Sequence, residues 1–374
     1  MMTETVYQRL ATHLDNLPAG FPATESGVEL RILKRFFTPE EAEFALHLTL
    51  IPEPPRVVAR RVGIGADEAA VRLEAMAKKG LLFRVEETPG VPEYMAAQYV
   101  IGIWEFHVND LDPDLIRDMD EYKPYLLDTA WKQPQLRTIP VGQSIDHELA
   151  VMTYERAEEL IRGHDRFSVN PCICRREKTM IGEGCDRPEA SCLSFGMAAD
   201  YAVKNGYGRV ASREEILDLL KKADEYALVL QPGYSKEVNF ICCCCGCCCG
   251  VLQSIKALPR PVDHVASPFV ARADAETCSG CGVCVDRCQM DALGLADGVV
   301  VLDDGRCIGC GLCVTTCPTG SLKLERKPES LQPQIPKDAV AAAIGHGRTR
   351  GKLGAGELVK LVVKSKMDRL LAPR

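Results

Sequence analysis

Aromatic residues are scarce in this chain: they make up 6% of 374 residues, with only two tryptophans. Positive charge is not in excess either. Against 45 Lys and Arg stand 52 Asp and Glu, a formal net charge of −7. That balance works against the unspecific attraction to phosphate on which nucleic-acid binding depends. No apolar run approaches the length needed to cross a bilayer. Met1 to Pro18 carries Glu4, Arg9, His13 and Asp15 instead of the continuous apolar stretch of a secretory leader. Gly63-x-Gly65 lacks a third glycine and a clear preceding strand, so no dinucleotide fold is expected. Leu353 follows Gly351-Lys352 where a Walker A loop needs Ser or Thr. The seven histidines show no metal-binding spacing. These gaps leave the chain without the means to take hydride from a nicotinamide or to cradle a nucleotide by itself.

Cysteine is what the chain has in abundance, with 19 residues. An oxidising compartment would scramble so many thiols, so a cytoplasmic setting in an anaerobic or low-oxygen organism is expected. Eight of them form two runs, Cys278-x2-Cys281-x2-Cys284-x3-Cys288 and Cys307-x2-Cys310-x2-Cys313-x3-Cys317-Pro318. Three cysteines at this spacing wrap three corners of an iron–sulfur cube, and the fourth of each run reaches the other cube. Cys278, Cys281, Cys284 and Cys317 are therefore expected to hold one [4Fe–4S] cluster, and Cys307, Cys310, Cys313 and Cys288 the second. One CxxC alone would suit zinc equally well; two complete runs in this order would not. From about Ala273 to Leu324 the chain resembles the bacterial dicluster ferredoxins. The resemblance implies a pseudo-two-fold fold of short β-hairpins and two small helices. Gln289 departs from the pattern, standing where the first run often carries proline, which predicts altered hydrogen bonding near Cys288.

Eleven further cysteines lie between Cys172 and Cys249. Seven occupy the eight positions from Cys242 to Cys249, too many to face one cube from an extended segment whose side chains alternate. One register reproduces the three-corner wrap: Cys242, Cys245 and Cys248, with a fourth ligand from Cys172, Cys174, Cys185 or Cys192. Alternatively those four form a centre of their own. Zinc sites and buried free thiols compete with both readings. At least one additional iron–sulfur centre is expected here. A wider likeness, to a family of multi-cluster 4Fe–4S binding proteins of anaerobic bacteria, rests on Pro171-Cys172-Ile173-Cys174-Arg175, Cys185-Asp186-Arg187-Pro188-Glu189, Cys192-Leu193-Ser194-Phe195-Gly196 and the dense block. It implies the cofactor and names no substrate. Cys243 stands where a polar residue such as asparagine is familiar in that family, which argues against its being a ligand.

The fold class expected is α+β in four parts. Residues 26–103 read as a winged-helix-like domain: a capping box at Thr38-Pro39-Glu40-Glu41, a short helix near Val57–Val62, a longer one capped by Asp67, and wing strands over Leu81–Glu86 and Tyr94–Ile101. Residues 104–265 comprise a connector, broken by Pro113, Pro124, Pro134 and Pro140, and a cysteine-rich middle α+β domain. Within it, helices are expected over Asp146–Arg162, Phe195–Lys204 and from Ser212 to Tyr226. Residues 266–326 form the dicluster ferredoxin-like domain. Residues 327–374 form a basic helical tail with Leu358, Leu361, Val362 and Leu370 as its apolar stripe.

The helix that would enter a DNA groove begins Asp67-Glu68 and carries Glu74, which phosphate would repel, although Arg56, Arg60 and Arg61 precede it. Nucleic acid is therefore not the expected partner; redox proteins are. Three functions follow. The first is a single-electron relay between partner proteins and a middle centre. The second is a reductase whose middle centre binds substrate. The third is a cluster-bearing transcription regulator.

Overall fold

The computed structural model describes residues 4–130, 133–145 and 149–373. The chain divides into two compact units, Met1–Gln133 with Tyr201–Tyr207 and Ala343–Arg374, and Pro134–Asp200 with Gly208–Ala342. Helices and strands are both well represented, so the α+β class holds. Among the described residues no helix is long and apolar enough to cross a membrane.

The first unit is mainly helical. Thr38 accepts from the Glu41 amide and Glu41 returns to the Thr38 amide, so the helix Pro39–Ala45 opens on the expected capping box. Pro55–Val62 ends at Gly63, whose φ of 80° is the left-handed conformation that glycine adopts without strain. Ala66–Lys78 follows, with Gly65 and not Asp67 at its N-cap. Strands β1 (Leu82–Thr88) and β2 (Val91–Ala96) pair antiparallel with Leu82 opposite Ala96. The hairpin is tighter than the expected strands, because Thr88 already pairs with Val91 across Pro89-Gly90.

Pro113 does not interrupt structure; it starts a helix, Pro113–Tyr125. Its missing N–H falls where a helix has no internal acceptor, and the Asp112 carboxylate takes the next two amides, of Asp114 and Leu115, each at 2.9 Å. Leu115, Ile116, Met119 and Tyr122 are buried on one face.

The tail also departs from expectation. In Ala355–Leu371 the buried line is Ser365 and Asp368, while Leu370 is 85% exposed. The reason is electrostatic. The Arg61 guanidinium donates to both Glu53 carboxylate oxygens at 2.6 Å and to Asp368 at 2.6 Å, and Ser365 donates to Glu53 at 2.6 Å. Arg60 also pairs with Asp368, and Arg56 donates to the Arg369 carbonyl at 2.9 Å. A buried charge persists only when paired and hydrogen-bonded, so this face of the helix must be polar.

The second unit is built on a five-stranded sheet. Its strands are β3 (Phe167–Pro171), β4 (Ala190–Phe195), β5 (Arg209–Ala211), β6 (Val229–Pro232) and β7 (Phe240–Cys244), in the order β5-β3-β4-β7-β6, every pair antiparallel. Strand alternation gives the sheet two unlike faces. Phe167, Val169, Leu193, Phe195, Leu230, Ile241 and Cys243 form the apolar one. Ile216, Leu220 and Ala223 of the helix Arg213–Glu225 join the same core. Each fully buried Phe or Leu there contributes about 1.5–3 kcal/mol. The opposite face carries Ser168, Asn170, Cys192, Ser194, Gln231, Cys242 and Cys244.

The start of the Asp146–Arg162 helix lies outside the described residues at 146–148. The rest is a 3-10 turn at Thr153–Glu155 and a short helix, Ala157–Arg162. Residues 134–140 are extended as expected of a connector, bridging Leu136 to Gly233 and Ile139 to Leu230.

The remaining strands are β8 (Phe269–Ala273), β9 (Leu293–Ala296), β10 (Val299–Leu302) and β11 (Leu322–Arg326). β9 and β10 form a hairpin whose turn residues, Asp297 and Gly298, both have positive φ, the arrangement a two-residue hairpin needs. β8 pairs with β11, closing the two ends of this segment on each other. One small helix, Val283–Arg287, lies within the first run, between Cys281 and Cys288; its counterpart within the second is a turn at 312–316.

Candidate metal centres

The eight cysteines of the two runs fall into two cavities. One is walled by Cys288, Cys307, Cys310 and Cys313 with Ala271, Met290, Ile308 and Leu312. The other is walled by Cys278, Cys281, Cys284 and Cys317 with Val283, Leu295, Val300 and Leu322. Each cavity thus takes three cysteines from one run and the last from the other.

Backbone amides point at the sulfurs. Ala271 N–H donates to Cys307 at 3.3 Å, Ala292 to Cys288 at 3.2 Å, and Gly280 and Val300 both to Cys278 at 3.4 Å. Such N–H···S bonds stabilise negative sulfur and tune an inorganic cluster. Gly309 permits the close wrap: its φ is 66°, and a Cβ there would strike the Phe269 carbonyl. Four sulfur donors and inward amides fit a [4Fe–4S] cube in each cavity; Gln289 also lines the first, and Ser279, Thr316, Thr319 and Ser321 line the second.

The two cavities differ in depth. Cys307 and Cys313 are buried, and burial pushes the Cys310 thiol up to about 12 and raises Cys313 further. Cys281 is exposed, and the amides of Gly280 and Val300 hold Cys278 below the usual thiol range. In the deep cavity only metal ligation would keep thiolates, because metal displaces the protons that burial retains.

Residues 277–321 match the family model described as a 4Fe-4S dicluster domain. This segment is a ferredoxin-like iron–sulfur module. No curated protein matches the chain.

The module is fastened to the cysteine-rich sheet within the same unit. Arg287 donates to the Asp224 carbonyl at 2.7 Å and to its carboxylate at 2.6 Å, and Thr315 donates to that carboxylate at 3.0 Å. Gln289 supplies a further connection. Its side-chain carbonyl accepts from the Gly246 amide at 2.8 Å, in the middle of the dense cysteine block.

Around Gly246 four thiols gather: the Sγ atoms of Cys185, Cys245, Cys247 and Cys248 all lie within 4.8 Å of one another. Burial opposes ionisation of Cys185, but hydrogen bonds from the Arg187 amide and from Cys248, Arg187 and Cys247 outweigh it and bring the thiol down to about 6. Arg187 also donates to Cys247 at 3.4 Å and Arg175 to Cys245 at 3.3 Å. Four sulfurs this close fit a tetrahedral ion as they stand, and a cube once they spread apart.

Cys245, Cys248 and Cys185 of the expected ligands therefore meet, and Cys242 does not join them. β7 continues through Cys244, so Cys242 stays on the sheet opposite Cys192, and the turn begins only at Cys245. Cys172, Cys174 and Cys192 are likewise on the Cys242 side: Cys172 interacts with Cys174, and Cys242 with Cys192 and Cys244. Cys247 was missed by spacing alone; the sharp turn at Gly246, between Cys245 and Cys247, was its signal. Cys243 points into the apolar face, 3% exposed, where burial pushes its thiol up to about 12.

Proposed function

We propose that this chain is an electron-transfer protein of the cytoplasm of an anaerobe, holding two [4Fe–4S] clusters in its ferredoxin-like module and at least one more centre beside them. On this reading the cluster of Cys278, Cys281, Cys284 and Cys317, nearest solvent through Cys281, exchanges single electrons with a partner redox protein. The buried cluster of Cys288, Cys307, Cys310 and Cys313 passes them on. The Gln289–Gly246 hydrogen bond leads from Cys288 toward the thiols of Cys185, Cys245, Cys247 and Cys248, which hold the next centre. The single observation carrying this reading is the partition of the eight cysteines between two cavities with the final cysteine of each run exchanged.

Iron and acid-labile sulfide analysis with EPR on anaerobically reconstituted protein tests it. Cys313→Ser should remove or alter one reduced-cluster signal and leave the other. An unchanged spectrum, or colourless protein carrying zinc, would defeat the proposal.

The exposure of Cys247 favours a second reading, in which the middle centre is open to a small substrate and reduces it. A shift of its EPR signal on adding a candidate metabolite would select that reading. The regulator reading is weakened by the arginines it would need. We read residues 26–103 as winged-helix-like, yet Arg56, Arg60 and Arg61 are engaged by the tail helix, and Asp67 and Glu68 occupy the first turn of Ala66–Lys78. Docking to protein partners suits such a surface better than DNA does.

A further inference from the structure

Apart from the three sites above and Cys243, six cysteines remain: Cys172, Cys174, Cys192, Cys242, Cys244 and Cys249. They are not scattered. Cys192 stands opposite Cys242 in the β4–β7 register, and strand alternation puts Cys244 on the same face. The Cys242 thiol interacts with those of Cys192 and Cys244, Cys244 with Cys249, Cys249 with Cys174, and Cys174 with Cys172. The chain of sulfur contacts is unbroken, and no member is exposed. The surrounding face is polar as well as buried: Ser168 donates to Asn170 at 3.0 Å, and Asn170 donates to Ser194 at 2.8 Å.

Arg175 supplies an independent pointer to negative charge. Its side chain follows Cys174 directly and is 1% exposed. It donates to the Pro188 carbonyl, to Ser191 at 2.6 Å and to Cys245 at 3.3 Å, and its Nε has no hydrogen-bond partner among the described residues. No carboxylate among the described residues pairs with it. It interacts electrostatically with Cys172 on one side and with Cys245 and Cys185 on the other. A buried guanidinium without an anion is strongly disfavoured, and neutral thiols do not compensate it. Thiolates bound to inorganic clusters on both sides would.

We infer that the six-cysteine face is a metal site in its own right, holding a second middle-unit iron–sulfur cluster ligated by four of these thiols, Cys192 and Cys242 among them, with Arg175 as the shared counter-ion between it and the centre at Cys185, Cys245, Cys247 and Cys248. This rests on the iron–sulfur reading of the chain.

Iron counting on the full chain, purified and reconstituted without oxygen, separates the two claims. With four irons per cube, the ferredoxin-like pair alone gives about 8, one middle centre about 12, and two about 16. The expected result is about 16, with Cys192→Ser/Cys242→Ser losing about a quarter of the iron while both ferredoxin-like EPR signals persist. Cys243→Val, on the opposite face, should lose none. About 12 irons in the wild type, iron unchanged in the double variant, or zinc in place of iron on this face overturns the inference and leaves the electron-transfer proposal standing. Fewer than about 8 irons defeats both. Should the double variant not fold, the wild-type count decides alone.

Discussion

Gly246 has no room for a side chain. A Cβ there would collide with the Gln289 carbonyl, while the Gly246 amide donates to the Gln289 side chain. One residue thus sets both the turn that brings Cys247 beside Cys245 and the seating of that turn on the ferredoxin-like module. Gly246→Ala should push the block away from Gln289 at a cost of about 1–3 kcal/mol. Its measurable consequence is loss of the iron that the proposed centre at Cys185, Cys245, Cys247 and Cys248 would hold, with the two ferredoxin-like EPR signals kept. Full iron content in that variant would show that the turn tolerates the methyl group. The eight ferredoxin-like cysteines were legible in sequence because most of each ligand set lies within a few residues and the spacing dictates the wrap. Cys242, which the spacing groups with Cys245 and Cys248, lies apart from them for the opposite reason. Whether it stays on a strand or enters the turn depends on β6, which pairs Gln231 with it, and on β4, which pairs Cys192 with it from a distant part of the chain.

At the level of elements, proline and apolar pattern were misleading where a single neighbour reversed their meaning. Pro113 reads as a breaker until Asp112 is seen to cap the helix it opens. The tail helix reads as apolar on Leu358, Leu361, Val362 and Leu370, yet it is anchored through Ser365 and Asp368, because the groups awaiting it are Glu53, Arg60 and Arg61. No periodicity reveals such a match between residues some 300 positions apart. The anchoring is testable. Asp368→Ala removes the acceptor that Arg60 and Arg61 share, and opening a buried pair of this kind costs about 3–5 kcal/mol. Glu53 still holds Arg61, so the loss should sit at the lower end and be felt mainly by the helix Ala355–Leu371. Limited trypsin digestion should then cut at Lys360, Lys364 or Lys366 faster in the variant than in the wild type. Equal digestion rates would mean that the remaining contacts, including Arg369 with Glu93, suffice.

Over the whole molecule the sulfur centres form an ordered series inside one compact unit. A cage near solvent is followed by a buried cage, and Gln289 joins the latter to the cysteine block. The first two steps are ordinary for a ferredoxin-like module; the third depends on a glutamine where such modules often carry proline. Proline has no side-chain acceptor to offer Gly246, so on the electron-transfer proposal the glutamine is the group that connects the module to its neighbour. Gln289→Leu keeps the bulk and the burial but removes the acceptor. The cluster content should remain that of the wild type, because neither Cys288 nor Cys245 is altered. Reduction of the middle centre after rapid mixing with a low-potential donor should become slower, while reduction of the ferredoxin-like pair keeps its rate. Freeze-quench EPR separates the two signals in time. A middle centre that still fills at the wild-type rate would show that electrons reach it by another path, most directly through the Arg287–Asp224 contact that also ties the module to the sheet domain.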